Sequence, residues 1–408
     1  MISTVLRIRR NVWIYLGVFG VQMLSLFRNY GATPDCTRLV DVNKFVNILV
    51  NCDSATFMKD AQEPVRLFNG VSDYQDRPIY SLLAAIINEL LNLLPIPSQE
   101  FKIFGNSGTW HVYTSNVFLS FIVINCFLLF VATYLTIKVI SQCLESCNFS
   151  EINNSLFIIF GVALITLNEI TKTFFWTPHT QIPNVIIPIY AIYLILNHEL
   201  FAQRNFVYRH LTFISIGIFV YPFIGILLLI PFFISLQSWK FRVFSCSLAA
   251  IPYLSYPIII ELFGGQFRNV TINEFRQFIW VLDVAESEEP LSALLSFIHS
   301  FLATVPILPT VFVLSTFTVI FLKDMTLEYL RSYFWRSTIY FGLFYAFFTF
   351  FIGFYARRLT YGVMLYFIAL AFLAIVRTIP NFRHLTGVLT SAISTLILIF
   401  LLSNGAMA

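Results

Sequence analysis

Apolar runs long enough to cross a bilayer recur along this chain, and no other feature restricts its fold as strongly. They lie at about 12–27, 114–139, 154–168, 183–197, 244–263, 299–322, 337–355, 361–376 and 385–402. A helix needs roughly 20 apolar residues to cross the hydrocarbon core. The runs do not alternate polar and apolar residues as barrel strands do, so they read as helices. Only 11% of the 408 residues are charged, against about 25% in soluble domains. So few charges cannot cover a water-facing surface. Residues 1–408 therefore read as a single transmembrane domain with no separate soluble domain.

The stretch 211–236 is apolar but interrupted at Tyr221–Pro222. Proline removes a helical donor, so this stretch reads as a broken or re-entrant pair. Orientation follows from the basic residues. With Arg7, Arg9 and Arg10 in the cytoplasm, Lys138, Arg204, Arg209, Lys240, Arg242, Lys323, Arg331, Arg336, Arg377 and Arg383 all fall inside, as the positive-inside rule requires. The net charge of +4 is scattered among loops, which is a topology signal and not a nucleic-acid footprint. The fold expected is all-α and polytopic, with about ten or eleven spans. Its first extracytoplasmic loop, 28–110, is large and bears short interfacial helices, among them "SLLAAIINELLNLL" at 81–94. The first apolar run is followed by "RNYGATPDC" with no small-residue cleavage site, and reads as an uncleaved span. The chain is thus expected in a cell inner or plasma membrane, with its N-terminus cytoplasmic.

Six cysteines are present and none form a CxxC pair, which gives zinc or redox chemistry little footing. Cys36 and Cys52 share the first loop. They either pair, if the loop faces an oxidising compartment, or remain two thiols.

The unusual polar segments gather on the outer face. "NCDSATFMKDAQ" (51–62) places Asp53 before apolar residues at near-helical spacing. Asp53 reads as an N-cap, and also as a carboxylate held at the lipid boundary where it can serve as a general base. "YQDRPIY" (74–80) places Arg77 just before Pro78, which suits the start of a helix; Arg77 is either a substrate contact or a headgroup anchor. "NEITKTFFWTPHTQIPN" (168–184) carries Glu169 and Lys172 three apart on one helix face, then His179 and Gln181 after a turn. "FYARRLTYG" (354–362) puts Arg357 and Arg358 side by side on the outer side. Guanidinium forks match phosphate oxygens, and headgroup binding is the other use of such a pair.

An acid-led "DSxxF" segment, an "RPxY" element and a short apolar helix in the first outer loop resemble the GT-C superfamily of integral membrane glycosyltransferases. So does an outer arginine pair followed by an aromatic-rich span. The resemblance covers most of the chain as architecture and three short segments as motif. It implies a sugar moved from a polyprenyl-phosphate donor to a lipid or cell-surface glycan acceptor on the extracytoplasmic face. It also implies Asp53 as general base, Arg357 and Arg358 facing the carrier phosphate, and the 168–184 loop contacting substrate. No cofactor and no metal ligand set is implied. The absence of GxxxxGK[ST] and GxGxxG agrees with a donor that is not a nucleotide sugar. Ser54 follows Asp53 where some branches carry a second acid, so the sugar stays open. The rival classes are a surface-polysaccharide polymerase or ligase, whose large loop usually comes late, and a transporter or flippase, which usually places ionisable groups at mid-membrane.

Overall fold

A computed structural model describes residues 37–43, 46–95, 98–104, 110–145, 151–234, 237–268, 277–322, 332–353 and 357–378. Within these stretches the side chains of Cys52, Glu169, Lys172, Arg357 and Arg358, among others, lie outside the description. The runs expected at 12–27 and 385–402 also lie outside it, as does any pairing of Cys36 with Cys52.

The first loop holds more regular structure than an all-α reading allows. Strands β1 (Thr37–Asn43) and β2 (Val46–Asn51) form an antiparallel hairpin that runs straight into helix α1 (Cys52–Gln62). Helix α2 (Pro78–Asn92) follows. A second hairpin, β3 (Glu100–Phe104) and β4 (Trp110–Thr114), leads into the long helix α3 (Ser115–Glu145). The strands are β-branched and aromatic runs of five to seven residues. That composition suits a pleated surface, but such runs are too short to register against spans of helix length.

The remainder is helical. It comprises α4 (Glu151–Thr166), α5 (Glu169–Phe174), α6 (Pro183–Leu196), α7 (Arg204–Ile218), α8 (Ile230–Ile234) and α9 (Trp239–Leu262). Then come α10 (Trp280–Glu286), α11 (Pro290–Ala303), α12 (Ile307–Leu322), α13 (Tyr333–Ile352) and α14 (Arg357–Thr378). Among the described residues three helices are long and apolar enough to cross a membrane: Ser115–Glu145, Trp239–Leu262 and Leu359–Arg377.

Two of the expected segments are interrupted, and proline is the reason in both. The stretch 211–236 breaks after α7. A 3-10 helix, Pro222–Leu229, follows and leads into α8. The span expected at 299–322 is two helices, α11 and α12, parted at Thr304–Pro306. Pro306 has no N–H to donate and disfavours helical backbone at Val305. Both breaks are stitched from outside. The carbonyl of Phe219 accepts from the N–H of Ile79 at 3.2 Å. The carbonyl of Thr304 accepts from the Thr360 hydroxyl at 2.9 Å.

Helix α14 is the centre of the bundle, packed against α3, α4, α6, α12 and α13. Of its apolar window 89% is buried by protein, against 22% for α9. Helix α9 instead presents Phe244, Leu248, Ile251, Leu254 and Ile258 outward, the surface a lipid-facing helix needs. The close approach of α14 to α4 depends on Gly161. A Cβ there would lie 2.5 Å from the Phe372 ring and 2.4 Å from Ile140.

The apolar core divides in two. The larger part lies among α3, α4, α6–α9, α13 and α14. The smaller part joins α1, α2, the second hairpin and the first half of α3, and includes Phe57, Tyr80, Tyr113, Phe121 and Phe175. The segment 174–182 runs along the seam between them.

Candidate active site

The chain enters α1 without a loop, and Asp53 is its second residue. Asp53 therefore sits inside the first helical turn and does not precede it as an N-cap would. A carboxylate there is favoured by the positive end of the helix dipole. Phe57 lies one turn further on the same face.

His179 comes to meet this carboxylate from 126 residues away. Its Nε2 lies 2.8 Å from Asp53 Oδ2. The two differ sharply in exposure: the His179 side chain is 1% accessible and that of Asp53 is 30%. The imidazole backs the carboxylate from the interior, and the carboxylate is the member that faces outward. With Nε2 protonated the ring donates to Oδ2 and fixes the rotation of the carboxylate. Phe57 and Phe174 flank the imidazole, with ring centroids 5.7 and 4.9 Å away.

The loop that carries His179 is held from two sides. From α3, Asn125 projects a buried amide into the loop. Its Nδ2 lies 3.1, 3.0 and 3.0 Å from the carbonyl oxygens of Phe174, Phe175 and Thr177. Its Oδ1 lies 3.1 Å from Tyr80 Oη. From α2, the Tyr80 hydroxyl accepts from the backbone N–H of His179 at 3.1 Å and lies 3.1 Å from its carbonyl. Tyr80 closes the "RPxY" element, but its part here was not read from sequence, and Asn125 lies in no quoted motif. The available signal was an asparagine within the apolar run 114–139, where an amide is costly unless its hydrogen bonds are made inside the protein.

Arg77 takes a different part from either sequence reading. It precedes α2, whose first residue is Pro78, as the X-Pro pattern suggested. Its Nη1 donates to Thr180 Oγ1 at 2.8 Å and its Nε to Asp76 Oδ1 at 3.2 Å. The Tyr74 and Tyr221 rings lie 5.0 and 5.8 Å from the guanidinium carbon. Burial works against the charge, but Asp76 and the neighbouring tyrosines outweigh it and the pKa rises. Arg77 is a charged bracket between the first loop and the His179 loop. Gln181 is also turned inward: its Oε1 accepts from Asn184 Nδ2 at 2.7 Å, with Tyr221 Oη at 3.5 Å.

Glu169 and Lys172 fall on α5, a short helix separate from α4 and capped by Asn168, which exchanges hydrogen bonds with Thr171. Their shared face follows from that backbone. Arg357 and Arg358 are the opening residues of α14. The side chains of all four lie outside the described residues. Among the described residues no group of three or more His, Cys, Asp or Glu is placed to hold a metal ion.

A second loop covers the first. Gln75 Nε2 donates to the carbonyls of Leu67 and Gln266 at 3.0 and 2.9 Å, and its Oε1 accepts from Arg268 N–H at 2.7 Å. Every polar atom of this amide is used, and the segment after α9 is strapped across the first loop.

Two turns beyond Asp53 on α1, Asp60 is fully buried, bonded to Ser72 and to Arg66 Nε at 3.2 Å. Burial outweighs both partners and pushes its pKa up to about 6 from 3.8. The folded protein thus keeps a proton that the unfolded chain releases at lower pH. That contribution to stability is full below about pH 4 and is lost as pH rises through about 6, on the order of 3 kcal/mol in all. Asparagine at this position has no proton to lose. The melting temperature of wild type relative to Asp60→Asn is therefore expected to fall by several degrees between pH 4 and pH 7. A difference independent of pH would contradict the assignment.

Comparison of the chain with protein-family models, with curated proteins and with solved structures finds no match.

Proposed function

We propose that this chain is a membrane glycosyltransferase of GT-C type, moving a sugar from a polyprenyl-phosphate donor to a lipid or glycan acceptor. The observation that carries the reading is the outward carboxylate of Asp53 backed by the buried imidazole of His179. A carboxylate oriented in this way suits removal of a proton from an acceptor hydroxyl. The acceptor oxygen attacks the anomeric carbon as Asp53 takes its proton. The bond from that carbon to the phosphate oxygen breaks, and the electron pair leaves with the polyprenyl phosphate. In this reading Arg357 and Arg358 neutralise the leaving phosphate. Glu169, Lys172 and His179 belong to the segment that shapes the substrate side, with the inward-turned Gln181 and Arg77 bracing it. The topology that goes with the reading has about ten or eleven spans, a cytoplasmic N-terminus and an extracytoplasmic site, in a cell inner or plasma membrane.

The test is purified protein in nanodiscs with a panel of radiolabelled polyprenyl-phosphate sugars and a membrane-extract acceptor. Release of label from one donor is the expected result. No release from a complete panel by folded protein would remove the transferase reading and leave the polymerase, ligase and transporter classes.

A further inference from the structure

Helix α2 reads from sequence as a short interfacial helix, and the structure gives it a steeper course. Its last residue, Asn92, accepts through Oδ1 from Asn116 Nδ2 in the first turn of α3, at 2.8 Å. Near its start, the Tyr80 hydroxyl lies 3.1 Å from Asn125 Oδ1, and its ring centroid lies 5.0 Å from that of Phe121. The step from Asn116 to Asn125 is about 14 Å along the α3 axis, and that from Tyr80 to Asn92 about 18 Å along α2. Most of α2 therefore runs down α3, with Asn92 at the top and Tyr80 at the bottom.

Tyr80, Ala84 and Asn88, one turn apart, form the buried face of α2. Leu83, Ile86 and Leu90 form an outward face, with Ile86 58% exposed. The only charged residue of the helix, Glu89, falls in the half nearer the top.

This face continues the outward surfaces of two candidate spans. Along α3, Leu119, Val123 and Phe127 face outward, and the descent sets Ile86 and Leu83 level with the first two. Helix α9 ends at Leu262 and the exposed Phe263. Just beyond, the Gln266 N–H donates to the carbonyl of Phe68 at 3.2 Å, in the segment that joins α1 to α2. The start of α3 and the end of α9 thus meet the same loop. Their basic residues, Lys138 in α3 and Lys240 with Arg242 in α9, lie towards the opposite ends, so both spans place this loop on one side of a membrane.

We propose that α2 descends into one leaflet beside α3, and that acyl chains cover Leu83, Ile86 and Leu90. An acyl chain needs no polar partner, and the lower half of this face offers none. A helix lying flat would instead hold its whole apolar stripe at one depth. The proposal rests on the membrane reading and is independent of sugar transfer.

The test places photoreactive benzoyl-phenylalanine at Leu83, Ile86, Leu93 or, for reference, Phe127. The full chain is irradiated in nanodiscs of phosphatidylcholine and phosphatidylglycerol, and its peptides are weighed and fragmented. All four positions are exposed, and melting temperatures check that each variant folds. We expect phospholipid adducts at Leu83 and Ile86 in yields matching Phe127, attached along the acyl chain. At Leu93 attachment should shift to the glycerol and headgroup. Cross-linked dimers at Leu83 and Ile86 would replace lipid with a second copy of the chain. Adducts at Phe127 alone would put the face in water. Equal acyl attachment at Leu83, Ile86 and Leu93 would lay the helix flat and overturn the descent. No lipid adduct at any of the four would remove the proposal together with the membrane reading.

Discussion

If Asp53 is the proposed base, Asp53→Asn is expected to abolish sugar transfer and leave the protein folded. The amide keeps an oxygen for the His179 Nε2–H, so the loop contact survives, but it cannot take a proton. Loss of a positioned general base is worth about 10²–10⁴ in rate. His179→Ala should lower kcat by a smaller factor, because it removes the support of the carboxylate and not the carboxylate. The two groups act as a unit, so the double variant should be no slower than Asp53→Asn alone. Initial rates with the active donor, with melting temperatures as the folding control, check this. Near-normal transfer by Asp53→Asn would take the base away from this residue. A multiplicative double variant would separate the two side chains into independent roles.

The second large effect is expected far from solvent. Asn125→Leu removes an amide that lies within hydrogen-bond distance of three loop carbonyls and the Tyr80 hydroxyl. Leucine has similar bulk, so no large cavity opens. What is lost is partnership, and each orphaned buried group costs about 1–3 kcal/mol. A total of about 3–5 kcal/mol is expected, near the upper end for single substitutions. The loop 174–181 should also loosen, and Asp53 with it. Backbone amide hydrogen exchange over 174–181 reads this directly, since the His179 N–H is held by the Tyr80 hydroxyl in the folded protein. A melting temperature within a degree or two of wild type would mean that the loop is held by other contacts.

Part of this fold is legible in the sequence. Among the described residues the apolar runs fall on helices, and Pro78, Pro222 and Pro306 sit where backbone chemistry puts them, at a helix start and at two breaks. Only Pro222 was read as a break in advance; Pro306 lay inside a run whose hydropathy masked it. Asp53 and His179 were each picked out, but their contact was not. Hydropathy reports on a residue's own neighbourhood, and this contact joins segments 126 residues apart. Arg77 shows the reverse difficulty. A loop arginine invites an external ligand, and only the positions of Asp76 and Thr180 turn it inward. The hairpins were missed because their strands are short and depend on pairing, which a pattern along one strand does not display.

The strap at Gln75 sets an order of events during synthesis. Its partner Gln266 follows 191 residues later. A ribosome covers that distance in about 10–40 s at about 5–20 residues per second. The Asp53–His179 contact becomes possible well before this, once residue 179 has emerged. For the interval between, a nascent chain can bring Asp53 against His179 while the strap on Gln75 is still unmade. The newborn protein can therefore close the Asp53–His179 contact well before its first loop is tied down at Gln75.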